Sequence, residues 1–196
     1  MTKIKSSDRA CFIGQTGSGK SHLAKQLGNQ FQRVVIYDPK CEHTDLTEYA
    51  VAKDTKEFYN LFISQKKNKI RCAYFENKPE DFNYICHLVY LVGNTLLIAD
   101  EVTFMYGKLL RYHEILIRLG RRRNAAIWHC IQRPSRINPY IISESQHYFI
   151  FTLMLKVDRD KLTGVIGETA QDANTLDKYQ FIYACPEQRI IEKTSA

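Results

Sequence analysis

ACFIGQTGSGKSHLAKQLGNQF, residues 10–31, passes through three patterns in succession. ACFI is a short apolar run bounded by a turn signal, the mark of a buried strand. Three glycines follow within six residues, 14–19. Leu23, Leu27 and Phe31 then recur at four-residue spacing, which predicts a helix over 19–31 with one apolar face. A strand feeding a glycine-rich turn that opens directly into a helix belongs to α/β architecture.

The turn itself reads Gly14-Gln15-Thr16-Gly17-Ser18-Gly19-Lys20-Ser21, a full match to G-x-x-x-x-G-K-[ST]. Glycines at this spacing let successive backbone N–H groups point inward and form an anion nest. The lysine reaches the β- and γ-phosphates, the serine hydroxyl ligates Mg²⁺, and the positive end of the following helix adds to the field. At ordinary residue frequencies, chance supplies such a match in fewer than about one chain in a hundred. Gly14, Gln15, Thr16, Gly17, Ser18, Gly19, Lys20, Ser21 and His22 are therefore the candidate nucleotide-binding residues. ATP and Mg²⁺ are the expected ligands.

The rest of the chain repeats the alternation. Apolar runs at 34–37, 70–75, 95–99, 125–131, 147–151 and 180–184 read as strands, and helices are expected over 55–66, from Pro79, and over 107–119. Strands apolar on both faces and separated by helices imply a mostly parallel, doubly wound sheet covered on both sides. The 196 residues suit one domain, with a core over about 8–185 and a short C-terminal tail at 186–196.

Composition excludes several classes. Hydrophobic residues at 44% and charged residues at 25% are ordinary globular values, so neither disorder nor a disulfide mini-scaffold describes the chain. The six cysteines show no CxxC pair, and reduced thiols are expected. The longest nearly apolar stretch, 88–99, has 12 residues where a spanning helix needs about 20, so no transmembrane segment is expected. A balance of 28 basic to 21 acidic residues gives +7, which favours an anionic partner, nucleic acid before membrane.

Three further features point to hydrolysis. Asp100-Glu101 follows the strand at 95–99, which is expected beside the strand at 10–13. An aspartate there suits the Mg²⁺ water shell, and the adjacent glutamate can activate water as catalytic base. Small P-loop kinases usually lack this second acid. Gln132 ends the strand at 125–131, where its amide can sense the γ-phosphate or the lytic water. Arg118, Arg121, Arg122 and Arg123 crowd the approach to that strand. On a helix, 111, 114, 118 and 121/122 would share one face. These arginines suit phosphate contacts with DNA or a finger reaching a neighbour's nucleotide.

GQTGSGKS (14–21), VVIYDPK (34–40), TLLIADE (95–101), GRRRNAAIWHCIQRPS (120–135) and FIFTLMLKVDRDKL (149–162) together resemble the FtsK/HerA class of RecA-like DNA-translocating ATPases. The resemblance implies a RecA-like P-loop fold, Lys20 and Ser21 on nucleotide and metal, Asp100 as second Mg²⁺ acid and Glu101 as catalytic base. It also implies Gln132 as polar sensor and a trans-acting arginine among Arg118, Arg121, Arg122 and Arg123. A bare core of this size is most similar to the genome-packaging ATPases of membrane-containing icosahedral viruses. The expected partners are double-stranded DNA, further copies of the chain in a hexameric or pentameric ring, and a capsid-vertex or virion-membrane protein. The expected location is the host cytoplasm or the virion. The alternatives are a cellular or plasmid DNA pump, a nucleotide-switched phage assembly protein with little hydrolysis, and a small P-loop kinase.

Overall fold

The computed structural model describes residues 4–41, 47–64 and 70–195. Its elements in chain order are β1 (Ala10–Ile13), α1 (Lys20–Gly28), β2 (Arg33–Tyr37), β3 (Ala50–Ala52), α2 (Thr55–Ser64), β4 (Ile70–Tyr74), α3 (Pro79–Val92), β5 (Leu96–Asp100), α4 (Arg111–Leu119), β6 (Ala126–Ile131), α5 (Pro139–Ser143), β7 (His147–Ile150), α6 (Lys156–Ile166), β8 (Gln180–Cys185) and β9 (Ile190–Ser195). The expected helix over 55–66 is observed to Ser64; residues 65 and 66 lie outside the described residues.

The strands form one sheet in the order β3-β4-β2-β5-β6-β1-β7-β8-β9. All pairings from β3 to β7 are parallel, and β8 and β9 add antiparallel at one edge. Alternation along β1 divides the interior in two. Ala10 and Phe12 join a layer with Leu23 and Ala24 of α1, Trp128 and Phe149. Cys11 and Ile13 join the opposite layer, which takes Phe58, Phe82, Leu116, Ile141 and Leu162 from α2 to α6. Helices therefore cover both faces of a mostly parallel sheet, the RecA-like P-loop NTPase fold. Among the described residues, no helix is long and apolar enough to cross a membrane.

Four elements lie beyond what the periodicity announced. β3 and α5 have three and five residues, too few to display a period. α6 is dominated by charge, KVDRDKLTGVI, yet buries Leu162 and Ile166. The expected tail at 186–196 is instead a short turn followed by strand β9, which pairs with β8 from Gln180↔Ser195 to Cys185↔Ile190. An edge strand with one wet face needs few apolar residues, so its sequence resembles a tail.

Two local expectations are corrected. The Asp100 strand does not adjoin β1, because β6 lies between them: β5 pairs β6, and β6 pairs β1. The helix before β6 begins at Arg111 rather than 107 and ends at Leu119 as expected, and Gly120–Arg123 follow as a separate 3₁₀ turn. Asn124 closes the turn in left-handed backbone (φ 51°) and its amide bonds Asn94. Arg121 and Arg122 thus lie beyond the helix that carries Arg118.

Candidate active site

Register sets the site. Ile13 lies beside Ile131, and Asp100 lies beside Cys130, so β1, β5 and β6 all end at one edge of the sheet. The turn after β1 is anchored there by Gly14 N–H donating to Ile131 O (3.0 Å) and Gln15 N–H donating to Thr152 O (3.1 Å). Gly14 has no room for a side chain, because a Cβ would lie 2.6 Å from Phe151 Cβ. Gly19 precedes α1 at φ 108°, a conformation essentially reserved for glycine. Ser18 Oγ is buried beneath the turn with no hydrogen-bond partner.

Lys20 is 3% exposed, Asp100 2% and Glu101 7%. Burying charges is costly unless they are paired or meet a ligand. Lys20 Nζ lies 3.0 Å from Glu101 Oε1, an ion pair without hydrogen-bond alignment, and donates to Gln15 O at 3.3 Å. Lys40 pairs with the other carboxylate oxygen, Oε2. Glu101 itself sits in left-handed backbone (φ 48°), held by its N–H donating to Cys130 O. A non-glycine residue there costs about 1–3 kcal/mol, which surrounding contacts must offset. Two lysines therefore converge on the glutamate that follows the buried aspartate.

Gln132, one residue beyond β6, donates from Nε2 to Thr16 Oγ1 at 2.9 Å and so touches the phosphate loop directly. The loop that carries it is tied down from α6. Arg133 Nε and Ser135 N–H both donate to the buried carboxylate of Asp158, at 2.8 and 3.0 Å. Burial beside Asp100 pushes the Cys130 thiol well above its ordinary value, so it stays neutral.

Of the residues expected at the site, Gly14 to Ser21, Asp100, Glu101 and Gln132 gather at this edge. His22 lies on the first turn of α1 and is exposed. Arg118, Arg121 and Arg122 do not join them. Arg118 pairs with Glu114 in the last turn of α4 (3.3 Å), and Arg121 and Arg122 are exposed before β6 begins. The length of β6, six residues or about 20 Å, separates that end from the site. Arg123 binds the carbonyls of Tyr90 and Leu91 at the end of α3, a helix-capping role. Lys40 and Asp158 were not anticipated as functional. Both lie in segments already singled out, but a cation near a strand end does not announce which carboxylate it meets.

The donor set fits a nucleoside triphosphate with Mg²⁺. The glycine turn is narrowed by Phe151, and among the described residues Ser18 leaves a buried hydroxyl unbonded and Lys20 has an ion pair and one carbonyl to give up. Ser21 and Asp100 carry the kind of hard oxygen that would hold Mg²⁺ alongside phosphate.

A scan of protein-family models gives no match, and no curated protein matches the sequence. Solved structures do. The genome packaging NTPase B204 from Sulfolobus turreted icosahedral virus 2, in complex with ATP-gammaS, superposes with a TM-score of 0.81 at 17% identity, covering 98% of each chain. A structure described as B204, the DNA-packaging ATPase from Sulfolobus turreted icosahedral virus, matches at 0.78 and 16%, again over 98% of each. EssC (ATPases 2 and 3) from Geobacillus thermodenitrificans matches at 0.53 and 12%, over 97% of this chain and 39% of that one. At these identities the likeness establishes the fold, and the neighbours are of the type that the sequence resembles.

Proposed function

We propose that the chain is an ATP-hydrolysing motor that moves double-stranded DNA, working as a homo-oligomeric ring to package a viral genome into a preformed capsid. The observation that carries the hydrolytic part is the convergence of Lys20, Asp100, Glu101 and Gln132 on one sheet edge, with Gln132 bonded to Thr16. A bound Mg²⁺, held by Ser21 and Asp100, would neutralise charge on the β- and γ-phosphates. Lys20 then exchanges its ion pair with Glu101 for the phosphates. That exchange leaves one Glu101 oxygen to accept a proton from the attacking water, while Lys40 keeps the other. Gln132 reports the occupancy of the loop through Thr16, and its own loop reports to α6 through Asp158.

The motor part rests on the full-length likeness to genome-packaging NTPases, the +7 charge and the arginines. Contacts to the phosphate backbone would make movement largely blind to sequence. Arg121 and Arg122 stand about 20 Å from their own site, so any part they take in hydrolysis is in a neighbour's site. That requires head-to-tail packing, which gives a ring when the rotation between neighbours closes. Such a machine would work in the host cytoplasm or on the virion.

The test is ATP turnover by the purified chain with and without double-stranded DNA, measured beside its mass in solution, with Lys20→Ala as the inactive control. DNA-stimulated turnover by an oligomer is expected. Turnover that ignores DNA and needs a small phosphate acceptor would make the chain a kinase. Stable nucleotide occupancy with negligible turnover would make it a switched assembly protein.

A further inference from the structure

We infer that Tyr179 is the platform on which the base of the bound nucleotide stacks. The inference rests on the nucleotide reading above and extends it to a residue outside the phosphate loop and the two strand ends that complete the site.

Direction comes first. The groups that would act on the terminal phosphate, Glu101 and Gln132, follow β5 and β6, which lie on one side of β1. A phosphate chain lying along the Gly14–Ser21 turn with its terminal end toward them has its nucleoside end toward β7 and β8, on the other side. Tyr179 stands there, immediately before β8.

Four observations single it out. Its ring borders the phosphate loop: a Cβ placed on Gly19 would lie 3.0 Å from Tyr179 Cδ1. It is 48% exposed although its ring lies against Gly19, so a large aromatic surface is left open beside the loop. Its backbone is left-handed at φ 68°, where a bulky residue is a genuine outlier. Lys178 places its ammonium 4.9 Å from the ring centroid, so the local field also suits an anionic ligand. The unbonded, buried Ser18 hydroxyl independently marks the neighbouring loop as built for a ligand. A nucleobase presents a π-face of matching size, and stacking tolerates any base.

The experiment measures binding of ATP and of inorganic tripolyphosphate, each with Mg²⁺, to the full chain and to two variants. Tyr179→Asn removes the ring but tolerates the left-handed backbone. Tyr179→Phe keeps the ring. Tyr179→Asn is expected to weaken ATP by about 5- to 150-fold and leave tripolyphosphate within about twofold. Tyr179→Phe is expected to bind both like the parent. Unchanged ATP affinity in Tyr179→Asn overturns the platform, and so does an equal loss for both ligands, which would make the ring a prop for Gly19. If the parent chain binds neither ligand, the nucleotide reading falls and the platform with it.

Discussion

Glu101 concentrates the chemistry of this site in one side chain: buried, backbone-strained, and paired to two lysines. Replacing it by glutamine preserves shape and removes the proton acceptor. Glu101→Gln should bind ATP at least as well as the parent and lose turnover by about 10²–10⁴-fold, the usual range for a general base. Single-turnover kinetics beside a binding isotherm separates the two effects, and equal hydrolysis would remove Glu101 from the role. Lys40 makes a subtler claim. Because its partner is the base and not the phosphate loop, Lys40→Ala should lower kcat by roughly tenfold while KM for ATP stays within about twofold, the pattern of a lost transition-state interaction. A rise in KM with kcat intact would instead place Lys40 on the nucleotide. The aspartate-glutamate pair and the P-loop were legible as a string of letters. Lys40 was not, because its meaning depends on β2 and β5 lying side by side.

Between α4 and β6, His113 and His129 face each other in the core with their Nε2 atoms 2.9 Å apart. Burial pushes His113 down to about 3, and burial reinforced by His113 pushes His129 well below its ordinary value. Both are neutral when folded, whereas the unfolded chain takes up protons below its histidine value of about 6.5. The pair's contribution is therefore complete above pH 6.5 and is lost progressively as pH falls from there toward 3. Each histidine gives a slope of up to about 1.4 kcal/mol per pH unit. Urea unfolding at pH 7.5, 6.0 and 5.0 should show this loss, and His113→Phe/His129→Leu should flatten it. An equally steep decline in the double variant would assign the acid sensitivity elsewhere. Since α4 follows the Glu101 segment and β6 leads to Gln132, acid should slacken the site before the far edge of the sheet. The sequence placed both elements by their apolar periods. It also closed α4 at Leu119, where the helix does end, but set Arg121 and Arg122 on a helical face with Arg118, whereas they belong to a separate turn closed by Asn124, whose amide bonds Asn94.

Across the assembled protein, the arginines ask for a second copy. Arg121 and Arg122 are exposed at the sheet end opposite the P-loop, and Arg118 shares that end while tied to Glu114. A trans-acting finger predicts loss of turnover by about 10³-fold or more on substitution, with ATP binding by each subunit nearly intact. Mixing decides it. An arginine variant with a whole P-loop, combined with Lys20→Ala carrying whole arginines, should regain activity at interfaces where both halves are intact. If mixed oligomers form and no arginine variant regains turnover, the shared site is refuted. Arg123 should behave differently from the others, since its guanidinium already caps α3 and its loss costs stability before activity.

Local rules carried the reading a long way. Apolar runs marked the central strands within a residue or two, and glycine spacing marked the phosphate turn, because backbone conformation and burial leave their imprint on neighbouring residues. Asp100, Glu101 and Gln132 followed because each closes a strand whose direction is shared in a parallel sheet. Strand order could not be read this way: β6 lies between the acid strand and β1, and nothing local to either strand encodes its neighbour. The same limit hid β9, whose exposed face asks for no apolar pattern, and Asp158, which grips the Gln132 loop from α6 across 25 residues of chain. Pairings between distant segments are settled by the burial and hydrogen bonding of the whole chain at once, so they appear only when the chain has folded.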